Sequence, residues 1–300
     1  MSGLPGYLLY RALAGIFGLL PHGLVRVSGR WIGWLLSFVA VDRLALVRRH
    51  ARRVIGEEAS EEEITAAARE MFASYGRYWA EVFWFRPRRK QWAIRNTAID
   101  GKEPVLLASA EGRSVVFAVA HLGNWEVAAP VADSIGLPII SVAEELPNPR
   151  ITDWFIETRA GFGVEILIAG RGSTMTALIR SLRRGKVPAL VSDRDVIGNG
   201  VEVEFFGERT TMPTGPVALA ELTGAALFPI GTYFDGTGFR LVAYPELKLD
   251  QGIANREQRI QDATERLALA FEQVISRSPT QWHLFQPNWP SDREWMEQRQ

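Results

Sequence analysis

The chain has 300 residues, 47% of them hydrophobic and 10% aromatic, which suffices for a large core and excludes a disordered chain. Its 34 basic and 34 acidic side chains cancel, so no global field draws it toward nucleic acid. Without cysteine it forms neither disulfides nor thiolate metal sites, a composition that fits a reducing compartment.

No apolar run approaches the ~20 residues of a membrane span. The longest, "LAGIFGLLP" and "WIGWLLSFVAV", reach about half of that length. A charged leader and a small-residue cleavage site are both missing from the N-terminal stretch, so a chain neither exported nor spanning is expected. Residues 5–20 read as a helix that is apolar nearly all round. Residues 31–53 read as a second helix that ends in the basic "RLALVRRHARR". Between Arg26 and Arg53 seven arginines face one acid, Asp42. Two readings are open for this segment. The helices are either ordinary core, or they lie in a lipid interface. In the second case Trp31 and Trp34 sit at headgroup depth, with Arg43, Arg48, Arg49, Arg52 and Arg53 toward anionic lipid.

Ser60 and Glu63 form the capping-box pattern that starts the next helix. Its aromatic end, Tyr78 to Phe85, suits core or groove lining. From about residue 100 strands and helices alternate. "SVVFAVA" (114–120), "LPIISVA" (137–143), "VEILIA" and "VPALVS" (187–192) are short continuous apolar runs, typical of strands buried on both faces. Helices are expected from Asn124, over 148–161, from Ser173 to Gly185, across "MPTGPVALAELTG" and over 257–276. "ALFPIGTYF" and "FRLVAYPEL" read as an antiparallel pair. The fold class is α/β, a mainly parallel central sheet flanked by helices. It forms a single domain in which residues 1–98 are a helical, membrane-associating lobe and 99–300 the catalytic core.

Ligands of an open parallel sheet bind beyond the carboxyl ends of its strands. Three polar clusters fall there: "HLGNWE" (121–126), Glu144 with Glu145, and "SDRD" (192–195). A histidine that takes a proton needs a carboxylate to fix its tautomer and stabilise the imidazolium. Glu126 and Asp193 could each serve His121. Gly123 permits a sharp turn and close substrate approach. The chain lacks a G-x-S-x-G elbow, a Walker A sequence and G-x-G-x-x-G, which disfavours hydrolase, nucleotide and hydride chemistry. Its four histidines contain no H-x-x-x-H pair, so no metal is expected. Attack by a substrate hydroxyl deprotonated by His121 remains, with no covalent acyl-enzyme.

The H-x4-[D/E] pattern of His121 and Glu126 resembles the signature of the glycerolipid and lysophospholipid acyltransferase superfamily. Its company is "VAEELPNPRITDWFIETRAGFGVEIL", "DRDVIGNGVEVEFFGERTTMPTGP" and "WHLFQPNW". That order resembles the lipid A lauroyltransferase branch, and within it the actinobacterial phosphatidylinositol mannoside acyltransferases. The resemblance covers nearly the whole chain and is densest over 118–289. It implies a glycerolipid acyltransferase-like fold, and transfer of a fatty acyl chain from acyl-CoA to a mannose hydroxyl of a phosphatidylinositol mannoside. The reaction would take place at the inner face of the plasma membrane, on a peripheral or monotopic protein.

Carried over by position, His121 is the base and Asp193 the favoured relay carboxylate. The branch often has Glu where this chain has Asp193, and Asp where it has Glu126, so the relay stays open between the two. Glu144, Arg159 and Arg194 are expected around the substrate groove. "FFGE" and "MPTGP" are expected as backbone support, and Trp282 and His283 as packing. His22 and His50 are expected at a surface or interface. A thioester is an activated donor, so base catalysis, positioning and oxyanion stabilisation suffice without a cofactor. Backbone N–H groups at Gly123 and Asn124 are the expected oxyanion donors. Two rival readings are an acyltransferase for another, lipid A-type acceptor and a non-catalytic lipid-binding membrane protein.

Overall fold

Five helices precede the sheet in the computed structural model, which describes residues 3–170, 172–196 and 198–299. Helix α1 (Leu4–Leu19) carries Pro5 in its first turn, where the missing N–H costs nothing. The single helix expected over 31–53 is instead two, α2 (His22–Val39) and α3 (Val41–Ile55), bent by 106° about the non-helical Ala40. No proline or glycine marks that break. The bend buries Leu46, Val47, His50 and Ala51 of α3, while α2 keeps Trp31, Trp34 and Phe38 exposed, so tertiary packing overrides local propensity. Helix α4 (Glu61–Trp84) starts on the Ser60–Glu63 capping box, both halves of which form.

Helix α2 lies directly on α4 through three glycines. A Cβ on Gly33 would sit 2.1 Å from the Phe72 carbonyl oxygen, and one on Gly76 would sit 2.2 Å from that of Gly29. The i, i+4 pair Gly29 and Gly33 gives a flat stripe on which the partner backbone rests.

Helix α5 (Lys90–Arg95) leads to β1 (Thr97–Asp100) and α6 (Lys102–Ala110). Then follow β2 (Val115–Val119), α7 (Ala128–Ser134), β3 (Ile139–Ala143), α8 (Pro149–Ala160), β4 (Glu165–Ile168), α9 (Thr174–Leu182) and β5 (Val187–Val191). After a small hairpin, β6 (Val201–Phe205) and β7 (Glu208–Met212), come α10 (Gly215–Thr223), β8 (Ala226–Asp235) and β9 (Gly238–Ala243). The chain closes with α11 (Arg256–Ser276) and α12 (Pro290–Glu297). The main sheet has seven strands in the order β1-β9-β8-β2-β5-β3-β4, parallel at every pair except β8 with β9. All five residues of β2 are buried, as a strand covered on both faces requires. Helices α3, α4, α10 and α11 contribute to the core on one face, and α1, the end of α4, α6 and α8 to that on the other.

The β6–β7 hairpin and β1 add to the elements expected from the sequence. "VEVEFFGERTTM" alternates as a hairpin should, and its turn places both Phe206 (φ 50°) and Gly207 (φ 75°) in the left-handed region, the demand of a two-residue hairpin turn.

His50 is not at a surface. It is fully buried, its Nε2 2.9 Å from Asp292 Oδ2 and its Nδ1 3.1 Å from the Leu284 carbonyl. Asp292 also accepts from Arg49 Nε and Arg53 Nη1, each at 3.0 Å. The C-terminal segment is thereby pinned under α3. Arg48 and Arg52 pair with Glu61, Arg53 also with Glu208, Arg30 with Glu70, and Arg43 and Arg26 donate to the Phe285 and Gly236 carbonyls. The arginine run expected to face lipid is engaged within the protein.

Gly33→Ala should destabilise the fold by about 1–3 kcal/mol through overpacking. Gly15→Ala, at an exposed helical position with no atom within 4 Å of the added carbon, should stabilise it slightly. Thermal melts of the two variants check this, and equal melting temperatures would contradict the close α2–α4 contact.

Candidate active site

Strands β2 and β5 are adjacent and parallel, with Val119 paired to Val191. Two residues beyond each pair member stand His121 and Asp193, so register alone brings them side by side. His121 Nδ1 lies 2.7 Å from Asp193 Oδ1, and the His121 backbone N–H donates to Oδ2 at 3.0 Å. A third donor completes the carboxylate: the indole N–H of Trp282, 2.7 Å from Oδ2. Asp193 is fully buried. Burial alone would raise its carboxyl, but the His121 charge and the three hydrogen bonds outweigh it and hold the group down at about 2. Its ordinary value is 3.8, so this carboxylate adds stability above that pH and loses it as the pH falls through 4 toward 2. Whenever the imidazole is neutral, the ionised Asp193 fixes its proton on Nδ1. The other ring nitrogen, Nε2, then has its lone pair free on a side chain that remains 24% exposed.

Glu126 does not touch the imidazole. It forms a two-pronged ion pair with Arg159, 3.0 Å from Nε and 2.5 Å from Nη2, and accepts from the Tyr78 hydroxyl at 3.4 Å. Burial would lower the Arg159 guanidinium, but Glu126 more than offsets this and holds it firmly charged. The intervening turn explains the divergence. Gly123 has φ 56° and lies so close to β8 that a Cβ would be 2.2 Å from the Thr232 carbonyl oxygen. Its N–H donates to the Gln281 carbonyl at 2.9 Å, so it is not the free oxyanion donor that was expected. Asn124 is buried, its amide donating to Glu81 Oε2 at 2.8 Å while its oxygen caps the Glu126 N–H at 3.1 Å. Both residues build the turn behind His121, and neither lines the cavity in front of it.

That cavity, about 750 Å³, has the His121 ring, Glu126, Arg159, Glu144 and Arg194 on its wall. Arg194 hydrogen-bonds Gln286 and lies 4.0 Å from Glu144, whose side chain is 54% exposed. The rest of the wall is mostly apolar and lies mainly along one face of the sheet, with Val142, Leu190, Met175 and Leu178 reaching it from the other. It uses alternate residues such as Phe117 and Val119 of β2, Ile139 of β3, Ile230 of β8 and Leu241 of β9. From β9 to β4 the trough crosses five strand spacings, about 24 Å at ~4.8 Å each. Such a trough suits an extended alkyl chain laid across the strands.

Two neighbours of the dyad, expected as packing, do more than pack. Trp282 does pack, yet its indole also holds the carboxylate. A buried indole N–H needs an acceptor, and that was the one available signal. His283 is buried beside Tyr75 and Tyr78, 2.9 Å from Ser74 Oγ, and burial pushes it down to about 3, so it stays neutral. Its backbone N–H donates to the His121 carbonyl at 2.7 Å, and Leu122 bridges Trp282. Segment 281–283 is thus the back wall of the site.

Residues 4–291 match the model of the bacterial lipid A biosynthesis acyltransferases. The chain belongs to that family. It is 35% identical over 252 residues to the phosphatidylinositol mannoside acyltransferase of Mycobacterium tuberculosis (strain CDC 1551 / Oshkosh), covering 82% of this chain and 77% of the relative. Identity to the same-named protein of Mycolicibacterium smegmatis is 33% over 251 residues, 82% and 79% of the two chains. A lipid A biosynthesis acyltransferase of Haemophilus influenzae is 24% identical over 200 residues, 65% and 59% of the two. As a family member the chain is an acyltransferase that acts on lipid.

Trp282→Phe keeps the ring and removes the donor to Asp193 Oδ2. The carboxylate then leans more of its charge on His121 and loses its fixed orientation. In this acyltransferase kcat should fall on the order of 10- to 100-fold with KM little changed. The acid limb of the pH–rate profile should move to higher pH. An unshifted profile with unchanged kcat would reduce Trp282 to packing alone.

Proposed function

We propose that this acyltransferase moves a fatty acyl chain from acyl-CoA to a mannose hydroxyl of a phosphatidylinositol mannoside. The observation that carries the reading is the His121–Asp193 pair at the wall of a long apolar trough. The two mycobacterial relatives supply the acceptor by name. His121 Nε2 takes the proton of the acceptor hydroxyl as its oxygen attacks the thioester carbonyl carbon. Asp193 stabilises the imidazolium that forms. Collapse of the tetrahedral adduct breaks the C–S bond, and the thiolate takes the proton back to leave as CoA thiol. Base catalysis of this type contributes ~10²- to 10⁴-fold. The acyl chain lies in the trough. Charged Arg159, held by Glu126, together with Arg194 and Glu144, orients the polar parts of donor and acceptor.

A lipid acceptor stays in its bilayer, so the enzyme comes to it. Fifteen of the 21 exposed large apolar side chains fall between Leu4 and Val41, a concentration far beyond scattered surface apolars. No single helix among the described residues is long and apolar enough to cross a membrane. We read α1 and α2 as lying in the interface, on the inner face of the plasma membrane. Asn148 ties α1 to this site, donating to the Gly3 carbonyl at 2.9 Å from the loop that follows Glu144. A lipid headgroup held at α1 is therefore close to the cavity.

Mass spectrometry of reactions with long-chain acyl-CoA and purified acceptors tests this. Acylated phosphatidylinositol mannoside is expected, with lipid A-type acceptors unmodified. His121→Ala should reduce product to background while its melting temperature stays near that of the parent. Full turnover in that variant would remove His121 from the chemistry, and no product from any acceptor would favour a lipid-binding role.

A further inference from the structure

The exit of α4 carries the run Phe85-Arg86-Pro87-Arg88-Arg89, folded onto the C-terminal end of α1. Helix α1 has no basic residue in its own last turn to meet its free carbonyls. Arg88 Nη2 and Arg89 Nη2 donate to the Gly18 carbonyl at 3.1 and 2.7 Å, and Arg86 Nη2 reaches Ala14 at 3.4 Å. Arg11, exposed on α1 itself, is the fourth cation of the group. Among the described residues no carboxylate lies within 4.0 Å of any of these four arginines. The nearest acid–base pair in sequence is Lys90 with Asp133. Arg86 and Arg89 are depressed first by burial and then by neighbouring arginines, Arg11 and Arg88 for one, Arg88 and Arg86 for the other.

The contrast with the run from Arg26 to Arg53 is physical. Five of those seven cations pair with carboxylates and the other two with backbone carbonyls, whereas this cluster repels itself and has backbone carbonyls and the Trp84 and Trp154 rings as partners but no carboxylate. Guanidinium groups are also the side chains best shaped to fork onto phosphate. The cluster sits beside Leu19 and Ile16, which are 85% and 59% exposed, at the end of the apolar face of α1. Charge without an internal carboxylate, next to an exposed apolar face, is the arrangement that a membrane surface completes.

We propose that Arg11, Arg86, Arg88 and Arg89 form a binding site for the phosphate groups of anionic lipids, and that this site fixes the end of α1 on the bilayer. The proposal rests on the interfacial reading of α1 and α2 given above and is separable from it. Arg11 and Arg88 are the exposed pair, and Arg11→Gln with Arg88→Gln removes two charges with the fewest internal bonds.

Sedimentation of the full chain with phosphatidylcholine vesicles, and with vesicles that also carry phosphatidylinositol, provides the test. The parent protein should bind the anionic vesicles more tightly, with the difference shrinking as salt rises. The double variant should lose roughly 30-fold of its affinity for the anionic vesicles. Its binding to neutral vesicles should be unchanged. Arg11→Lys with Arg88→Lys should retain most of the preference, which separates charge from a folding defect. A double glutamine variant that keeps the parent's preference overturns the proposal. Equal binding of the parent to both vesicles overturns it as well while leaving the interfacial helices standing. If the parent binds neither vesicle, both readings fall.

Discussion

A buried carboxylate must be matched on every side, and Asp193 is the group around which this site is organised. It is ionised with no exposure to water, so it exists only because an imidazole, a backbone N–H and an indole N–H converge on it. Each partner comes from a different part of the fold. The imidazole and backbone N–H come from the end of β2, which the parallel register sets beside β5. The indole comes from the C-terminal segment, held in place by Asp292 beneath α3 through His50, Arg49 and Arg53. A second buried histidine–aspartate pair therefore supports the first.

The same convergence separates two carboxylates that look alike in sequence. Glu126 is five residues from His121, and Asp193 is 72 residues away. Gly123 turns the chain hard against β8, and Glu126 emerges from that turn onto Arg159. One acid thus bears on the imidazole and the other on a guanidinium in the cavity wall. On the proposed mechanism they divide the work between proton transfer and substrate placement.

The parallel strands, the helices between them and the clustering of His121, Glu144 and Asp193 at strand ends were legible because buried strands and their polar termini have local signatures. Much of what positions the site was not. The bend at Ala40 has no local breaker and follows from the burial of α3. Trp282 belongs to the site through a single N–H whose acceptor lies 89 residues away. The arginines of α3 carry the composition of a lipid-facing helix, yet Glu61, Glu208 and Asp292 claim them, and nothing short-range in sequence announces those partners. The oxyanion donor expected at Gly123 fails for a similar reason, since its N–H is taken by Gln281 across the back wall. Spacing along the chain reports what one element does, while the pairing of charges reports how elements meet.

On the proposed mechanism His121 works with Asp193, and Glu126 serves another purpose. Steady-state rates of acyl transfer for Asp193→Asn and Glu126→Gln, measured side by side at saturating acyl-CoA, test it most directly. An amide keeps the shape of each acid and removes its charge. A loss of about 10³- to 10⁴-fold in kcat is expected for Asp193→Asn. For Glu126→Gln a smaller loss is expected, carried mainly in KM as Arg159 comes free. Near-normal kcat in Asp193→Asn, with Glu126→Gln inactive, would contradict that mechanism.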